Sequence, residues 1–386
     1  MNPGANPHIK LCQDFEGAVT DALKNCSPNA VYLAAVSGGA DSMAMLAALN
    51  QIFNNESTDR LLSVLHVEHG LRPSQESCGD AEFVRNFCKK QGIPCTVKHI
   101  PRGKIAAFAQ RKGIGIEAAA RHFRYKALAA EAARLGENTV ILTAHTKDDM
   151  LETTLMRVLR GSGPAGLAAM QKSNRTCGSE QRTEPACIYR PLLSVTRGEV
   201  IAYLKAKGVS WREDATNADD VFLRNRIRNK LVPLLDEFFP SWRTGVGSMA
   251  ETQSLAADFI AEEVRKRIKW VPKDTSRRDI EPLVRKAQRT QRGINDKVIC
   301  FFSANAKNFF VQPLIIREEA IFQVIDELLN NKKNLRTVKR TVVRRFCRGS
   351  ISAADLGTVR AKLDGEEIVV SCVEKEFFEI GVSRLL

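Results

Sequence analysis

Apolar positions in the first 160 residues alternate between two patterns. VYLAAV (31–36), LLSVLHV (61–67), CTVKHI (95–100) and TVILTA (139–144) are short runs of strand length. Between them the spacing becomes helical. A helix is predicted from Asp41 to Gln51, and another carries Phe83, Val84, Phe87 and Cys88 on one face. GIEAAARHFRYKALAAEAARLG (115–136) predicts a long helix with Gly136 as its stop, and KDDMLETTLMRVLRG (147–161) a fourth helix. Regular alternation of this kind predicts an α/β fold with a parallel sheet covered on both faces. In such sheets ligands sit beyond the carboxyl ends of the strands.

The pattern then changes. Residues 161–188 are rich in Gly, Ser, Pro and charge and read as a long surface loop, with 171–187 as an insertion. A helix begins near Thr196, which stands three residues before Glu199 in capping-box order. A polar stretch, REDATNADDVFLRNRIRN, precedes LVPLLDEFFP, and helical spacing dominates from Pro240 to about 292. Residues 294–386 mix short strands and helices. Three domains are expected: an α/β domain at 1–230, a helical domain at 231–315, and a small α+β domain at 316–386.

Composition narrows the class. The 386 residues are 44% hydrophobic, and no stretch approaches the roughly 20 apolar residues of a membrane span. The start MNPGANPHIK has no charged start followed by an apolar run, so no signal peptide is expected. No two of the ten cysteines are separated by only two residues, which argues against a zinc ribbon, an iron–sulfur site or a redox CxxC. They read as buried apolar residues or free thiols in a reducing cytoplasm. The net charge is +14, and NKKNLRTVKRTVVRRFCR (331–348) carries eight basic residues and no acid. A phosphate-rich partner such as nucleic acid suits that stretch; a solvated basic face is the plainer alternative.

The first strand ends in SGGADS, residues 37–42. Two glycines after a strand allow a sharp turn that brings bare N–H groups near a ligand, and the following helix adds its positive end. Ser37 and Ser42 add hydroxyl donors. A carboxylate at Asp41 would repel phosphate unless a cation lay between them, so Asp41 is expected to hold Mg²⁺ against phosphate oxygens. A second cluster follows the fourth strand. His145, Asp149 and Glu152 are spaced by four and three residues, and would share one face if the helix reached back to His145. Two acids there would hold a metal, or grip the ammonium of an amine and take its proton.

The loop lacks the endings of a Walker A or a dinucleotide motif. It resembles the SGGxDS signature of the PP-loop ATP pyrophosphatases, with a Rossmann-like sheet and ATP bound through Ser37, Gly38, Gly39, Ala40, Asp41 and Ser42. LHVEHGLRPSQESCGDAEFV (65–84), IEAAARHFRY (116–125), TAHTKDDMLETTLMRVLRGSG (143–163) and WREDATNADDVFLRNRIRNKLVP (211–233) resemble, in order, blocks of the tRNA(Ile)-lysidine synthetase family. The likeness covers about residues 30–240; beyond them only length and basic charge are shared. Thr146 stands where that family often has a second histidine, and Glu68 where it more usually has Asn or Asp.

The resemblance implies conversion of the wobble cytidine (position 34) of a CAU-anticodon tRNA(Ile) to lysidine. The cytosine O2 attacks the α-phosphate of ATP and pyrophosphate leaves; the amine of free L-lysine then attacks C2 and AMP departs. It implies Asp41, His145, Asp149, Glu152, Arg224 and Arg228 as catalytic residues, with Arg224 or Arg228 meeting the activated phosphate or the anticodon. Arg121, Arg124, Arg226, Lys339, Arg340, Arg344 and Arg345 are the expected RNA contacts. Arg224, Arg226 and Arg228 share one side of an extended chain or are spread around a helix. The resemblance also allows a homodimer. The nearest alternative within the superfamily is tRNA thiolation, which generally needs paired cysteines.

Overall fold

The computed structural model describes residues 7–24, 26–27, 30–55, 61–71, 74–168, 170, 173–174, 187–213, 223–274, 297–328, 338–356 and 359–374. Most of the 171–187 insertion and residues 275–292 and 331–337 lie outside the described residues. The chain divides into two compact units, Met1–Ser254 and Leu255–Leu386.

The first unit is built on strands β1 (Val31–Ala35), β2 (Leu61–Glu68), β3 (Cys95–His99), β4 (Thr139–Thr143), β5 (Ser173–Asn174) and β6 (Cys187–Tyr189). Their order is β3-β2-β1-β4-β6-β5; every pairing is parallel except that of β5 with β6. Helices α1 (Pro7–Leu23), α2 (Ala40–Asn55), α3 (Ser74–Gln91), α4 (Lys104–Lys112), α5 (Ile116–Leu135), α6 (Lys147–Leu159), α7 (Pro164–Leu167) and α8 (Arg197–Lys207) accompany the sheet. Alternation along β1 explains the layering. Tyr32 and Ala34 join Phe15 and Val19 of α1, Met43 and Leu46 of α2 and Tyr203 and Leu204 of α8 in one core. Leu33 faces the other way, onto Leu65, Ile141 and the α5 residues Leu128 and Ala132.

The four strands and helices read from the sequence lie where expected. The reading of 161–188 as a long surface loop is corrected: α7 and β5 lie within it and β6 begins there, and strands of two and three residues are too short for a periodic signal. Helix α1 also escaped the pattern. Its buried Phe15, Val19 and Leu23 recur at four-residue steps among polar neighbours.

Strand order reverses between β1 and β4. From β1 the chain proceeds outward to β2 and β3; from β4 it proceeds the other way to β6. Ala35 and Thr143 are register partners, so the loops leaving β1 and β4 emerge side by side. This is a topological switch point, where α/β sheets open a crevice for ligands.

The unit continues through α9 (Leu223–Arg226), a π-helical turn (Ile227–Leu231), α10 (Val232–Phe238) and the start of α11 (Trp242–Arg267).

The second unit holds β7 (Val271–Asp274), β8 (Lys297–Asn305), β9 (Ala353–Asp355), β10 (Val359–Asp364) and β11 (Glu367–Glu374), in the order β7-β8-β11-β10-β9, all antiparallel. Helices α12 (Ala306–Phe310), α13 (Leu314–Leu328) and α14 (Arg340–Cys347) pack Phe309, Ile321, Ile325 and Phe346 against Ile368 and Val370. The boundary expected at 315 falls inside this sheet, because β8 pairs with β11. That pairing joins residues as far apart in the chain as Lys297 and Glu374 and leaves no local periodicity to read.

Candidate active site

The loop after β1 is shaped by its own serines. Ser42 donates its hydroxyl to the Gly39 carbonyl at 2.9 Å, and the Ser37 N–H donates to Ser42 Oγ at 3.2 Å. The Gly39 N–H reaches Ser37 Oγ at 3.4 Å. Gly38 has φ +92°, a conformation that favours glycine, and a Cβ there would lie 3.4 Å from Val84 Cγ2. Ala40, Asp41 and Ser42 open α2, where N–H groups have no partner inside the helix. The result is a donor-lined corner at a helix N-terminus, suited to a polyphosphate.

Arg212 braces this corner from outside. Its N–H donates to the Gly38 carbonyl at 2.9 Å, and its guanidinium pairs with Asp80 of α3 at 3.0 Å. Asp41 is paired with Arg197 at the start of α8, whose own N–H donates to Asp148 at 2.7 Å. The other carboxylate oxygen, Asp41 Oδ1, is buried without a hydrogen-bond partner. Burial pushes the Asp41 carboxyl above its usual range, with Arg197 opposing. An orphaned carboxylate oxygen beside a phosphate corner fits a divalent cation. Among the described residues no set of three ligating side chains converges, so such an ion would complete its shell with phosphate oxygens and water.

The acids after β4 are engaged with the arginines singled out from sequence. Arg224 Nη2 donates to Asp149 Oδ1 at 2.7 Å and its Nε to Glu152 Oε2 at 2.9 Å. Arg228 Nε donates to Glu152 Oε1 at 2.6 Å, and its Nη2 to Glu152 Oε2 at 3.0 Å. Glu152 is 3% exposed. The chain around the arginines is helical, so Arg224 and Arg228, four apart, share a face, while Arg226 lies on another and is exposed. The two acids and two arginines form a balanced, saturated network. Asp149 also closes the α6 cap, accepting the Thr146 N–H at 2.9 Å.

His145 requires a correction. Helix α6 starts at Lys147 with Thr146 as its N-cap, so His145 precedes the helix and does not share a helical face with the acids. It is brought to them by the end of β4 instead, with Nδ1 3.0 Å from Thr143 Oγ1. Burial pulls its pKa down to about 4; Asp149 opposes this, while Arg121, Arg190 and Arg224 add to it. The imidazole is therefore neutral at pH 7. Asp41, Asp149 and Arg228 act electrostatically on one another, so the loop and the acids share one crevice.

The expected RNA contacts divide. Arg121, Arg124, Arg226, Lys339, Arg344 and Arg345 are all exposed, but three of the seven have partners that occupy them. Arg340 and Arg344 are bonded to Glu318 of α13, at 2.8 and 2.6 Å. Arg121 lies over the Tyr125 ring, 4.8 Å from its centroid, and donates to its hydroxyl at 3.2 Å. Sequence reasoning missed Arg197, Arg212 and Asp148. The Thr196–Glu199 capping box marked where Arg197 would sit, but no local pattern pairs it with a residue 156 positions earlier.

Comparison with known proteins agrees with this geometry. tRNA(Ile)-lysidine synthase of Treponema denticola is 39% identical over 240 residues, covering 62% of this chain and 49% of the relative. The Thermus thermophilus protein of that name is 35% identical, over 65% of this chain and 45% of the relative. The Pseudomonas aeruginosa protein is 36% identical, over 72% and 61%. The chain thus spans about half the length of the first two relatives. Among solved structures, the U34-tRNA thiolase NcsA from Methanococcus maripaludis with its [4Fe-4S] cluster shares the fold, with a TM-score of 0.51 at 16% identity over 63% of this chain and 79% of that one. The PP-loop domain model matches residues 11–235, well over half of the chain, and takes in the whole crevice. The chain belongs to the PP-loop family of ATP-binding domains.

Proposed function

We propose that this protein forms lysidine at the wobble cytidine of tRNA(Ile) bearing a CAU anticodon, using ATP and free L-lysine and releasing pyrophosphate and AMP. The observation that supports it most is the meeting, at the β1–β4 switch point, of the SGGADS corner with His145, Asp149 and Glu152. The names of the relatives support the same reading.

In the first step the N–H groups of Ala40, Asp41 and Ser42 at the start of α2, in a loop braced by the Ser37 and Ser42 hydroxyls, receive the β and γ phosphates as charge builds on pyrophosphate. Mg²⁺, held by Asp41, would neutralise part of that charge when bound. Arg197, paired with Asp41 at the start of α8, would be the cation beside the phosphates once Asp41 held the ion. In the second step lysine must lose a proton, since an amine of reference pKa about 10.4 is charged at neutral pH. Every carboxylate oxygen of Asp149 and Glu152 already accepts a hydrogen bond in the free protein, from Arg224, Arg228 or Thr146, so an ammonium would have to compete for them. The polyphosphate competes for those guanidinia. Transfer of one arginine to a phosphate leaves the other paired with both acids and opens accepting positions on them that orient the lysine amine. One of those acids, or neutral His145, takes the proton.

Exposed Arg124, Arg226, Lys339 and Arg345 contact RNA phosphates, which gives affinity without sequence information. A tRNA substrate places the enzyme in the cytoplasm. No described helix is long and apolar enough to cross a membrane.

The test is incubation of the full chain with ATP, Mg²⁺, labelled lysine and a CAU-anticodon tRNA. Lysine should enter the tRNA and fail to do so when the wobble cytidine is replaced by uridine. Incorporation indifferent to that base, or a thionucleoside product, would overturn the reading.

A further inference from the structure

On the far side of His145 from β1, at the end of β6, lies a cluster of cations that the scheme above does not use. Arg190 follows β6 directly and is 4% exposed. It hydrogen-bonds the Tyr125 hydroxyl, which also accepts from Arg121 Nη2 at 3.2 Å while the Arg121 guanidinium lies over the same ring. Arg157 of α6 is close enough to feel the Arg121 charge, and its Nη1 donates to the Gly166 carbonyl at 2.6 Å. Among the described residues neither Arg121 nor Arg157 forms an ion pair with a carboxylate.

A phenol oxygen accepts through its lone pairs and donates a single proton. Here two guanidinia donate to the oxygen, and no acceptor for its proton is recorded among the described residues. Two cations thus bracket a hydroxyl whose donor points away from both. That is the donor set of an oxyanion cradle. The cradle adjoins the reaction crevice: Arg121, Arg190 and Asp149 all act on His145, and β4 and β6 are neighbours, about 4.8 Å apart. A ligand lying across His145 would have acids at one end and the cradle at the other. Free lysine carries complementary groups, an amine at one end and a carboxylate at the other.

We infer that Arg121, Tyr125 and Arg190 form the subsite that holds the α-carboxylate of the free amino acid, fixing how far its side-chain amine reaches towards the acids. This rests on the proposed reaction and assigns Arg121 to the amino acid rather than to RNA. Arg121 is exposed while Arg190 is 4% exposed, so the cradle runs from the surface inward, and its inner end suits a small carboxylate that can enter it. The cradle makes the enzyme select an amino acid over a plain diamine.

The test compares lysine with lysinamide, whose carboxylate is neutralised, on the full chain with ATP, Mg²⁺ and tRNA. Binding is read by equilibrium dialysis and turnover by incorporation into tRNA. The wild-type protein should prefer lysine about ten- to hundredfold, the range of a hydrogen bond to a charged group. Tyr125→Phe keeps the ring under Arg121 and removes only the hydroxyl; it and Arg121→Gln should erase most of that preference by raising the lysine KM. Equal binding of lysine and lysinamide to the wild type would overturn the proposal. So would variants that keep the preference while tRNA affinity and its salt dependence fall, which would mark a phosphodiester site. A preference in dialysis that Tyr125→Phe removes, in a protein that puts no lysine into tRNA, would support the cradle and sink the reaction.

Discussion

Each of the two units presents a pair of arginines, four residues apart on a helical turn, to buried acid. In the first, Arg224 and Arg228 meet Asp149 and Glu152, two cations against two anions. In the second, Arg340 and Arg344 meet Glu318 alone, and that carboxylate is 1% exposed. The surroundings separate them. Glu318 sits among Ile321, Phe346 and Cys347 and fastens α14 to α13 over an apolar core. Glu152 and Asp149 open onto a crevice shared with Asp41 and the phosphate corner. Identical spacing is a structural clasp in one place and a charge reservoir that a polyanion can draw on in the other. Residue type and spacing do not decide between these; position relative to the strand ends does.

The comparison can be broken in descending steps. Asp41→Asn should lower pyrophosphate release by about a thousandfold, the upper range for loss of one preorganised transition-state contact, with tRNA affinity retained in a filter-binding assay. An unaltered rate would remove Asp41 from the phosphate site. Glu318→Gln removes the shared carboxylate of partly exposed Arg340 and exposed Arg344 and should destabilise the second unit by about 1–2 kcal/mol in urea unfolding, without lowering pyrophosphate release. Glu152→Gln should do the reverse, cutting lysine incorporation about a hundredfold with a smaller loss of stability. If both substitutions acted alike, the contrast between clasp and reservoir would be lost. Lys339→Ala with Arg345→Ala should weaken tRNA binding and reduce its salt slope by about 0.7–0.9 per lost phosphate contact. Arg340→Ala should instead register as lost stability.

The smallest effect is one of pH. His145 has a folded pKa of about 4 against an ordinary value near 6.5, so the unfolded chain binds more protons between those limits. Stability therefore rises with pH from about 4 to 6.5 on account of this residue and is flat above. His145→Gln should remove that part of the slope in unfolding curves measured across this window; an unchanged slope would mean the imidazole is not held neutral.

The sheet and its crossing helices were legible because each strand and helix of the first unit carries its own periodicity, and SGGADS and AHTKDDMLE sit where that periodicity stops. What escaped was non-local. Arg197 belongs to Asp41, and Arg340 and Arg344 to Glu318, through folding that brings distant segments together. The same holds for β8 and β11, whose pairing joins residues on both sides of the expected boundary at 315. His145 shows the same limit: a strand end positions it, not a helical face.

Coupling between ATP and lysine tests the reservoir most directly, because in the proposed scheme Arg224 and Arg228 serve both ligands. Lysine affinity should be measured by calorimetry on the full chain, with and without a non-hydrolysable ATP analogue and Mg²⁺. Lysine binding should tighten by about tenfold or more when the analogue is present, and the analogue should gain the same factor from lysine. Identical lysine affinity in both conditions would show that the acids are never held in reserve by the arginines.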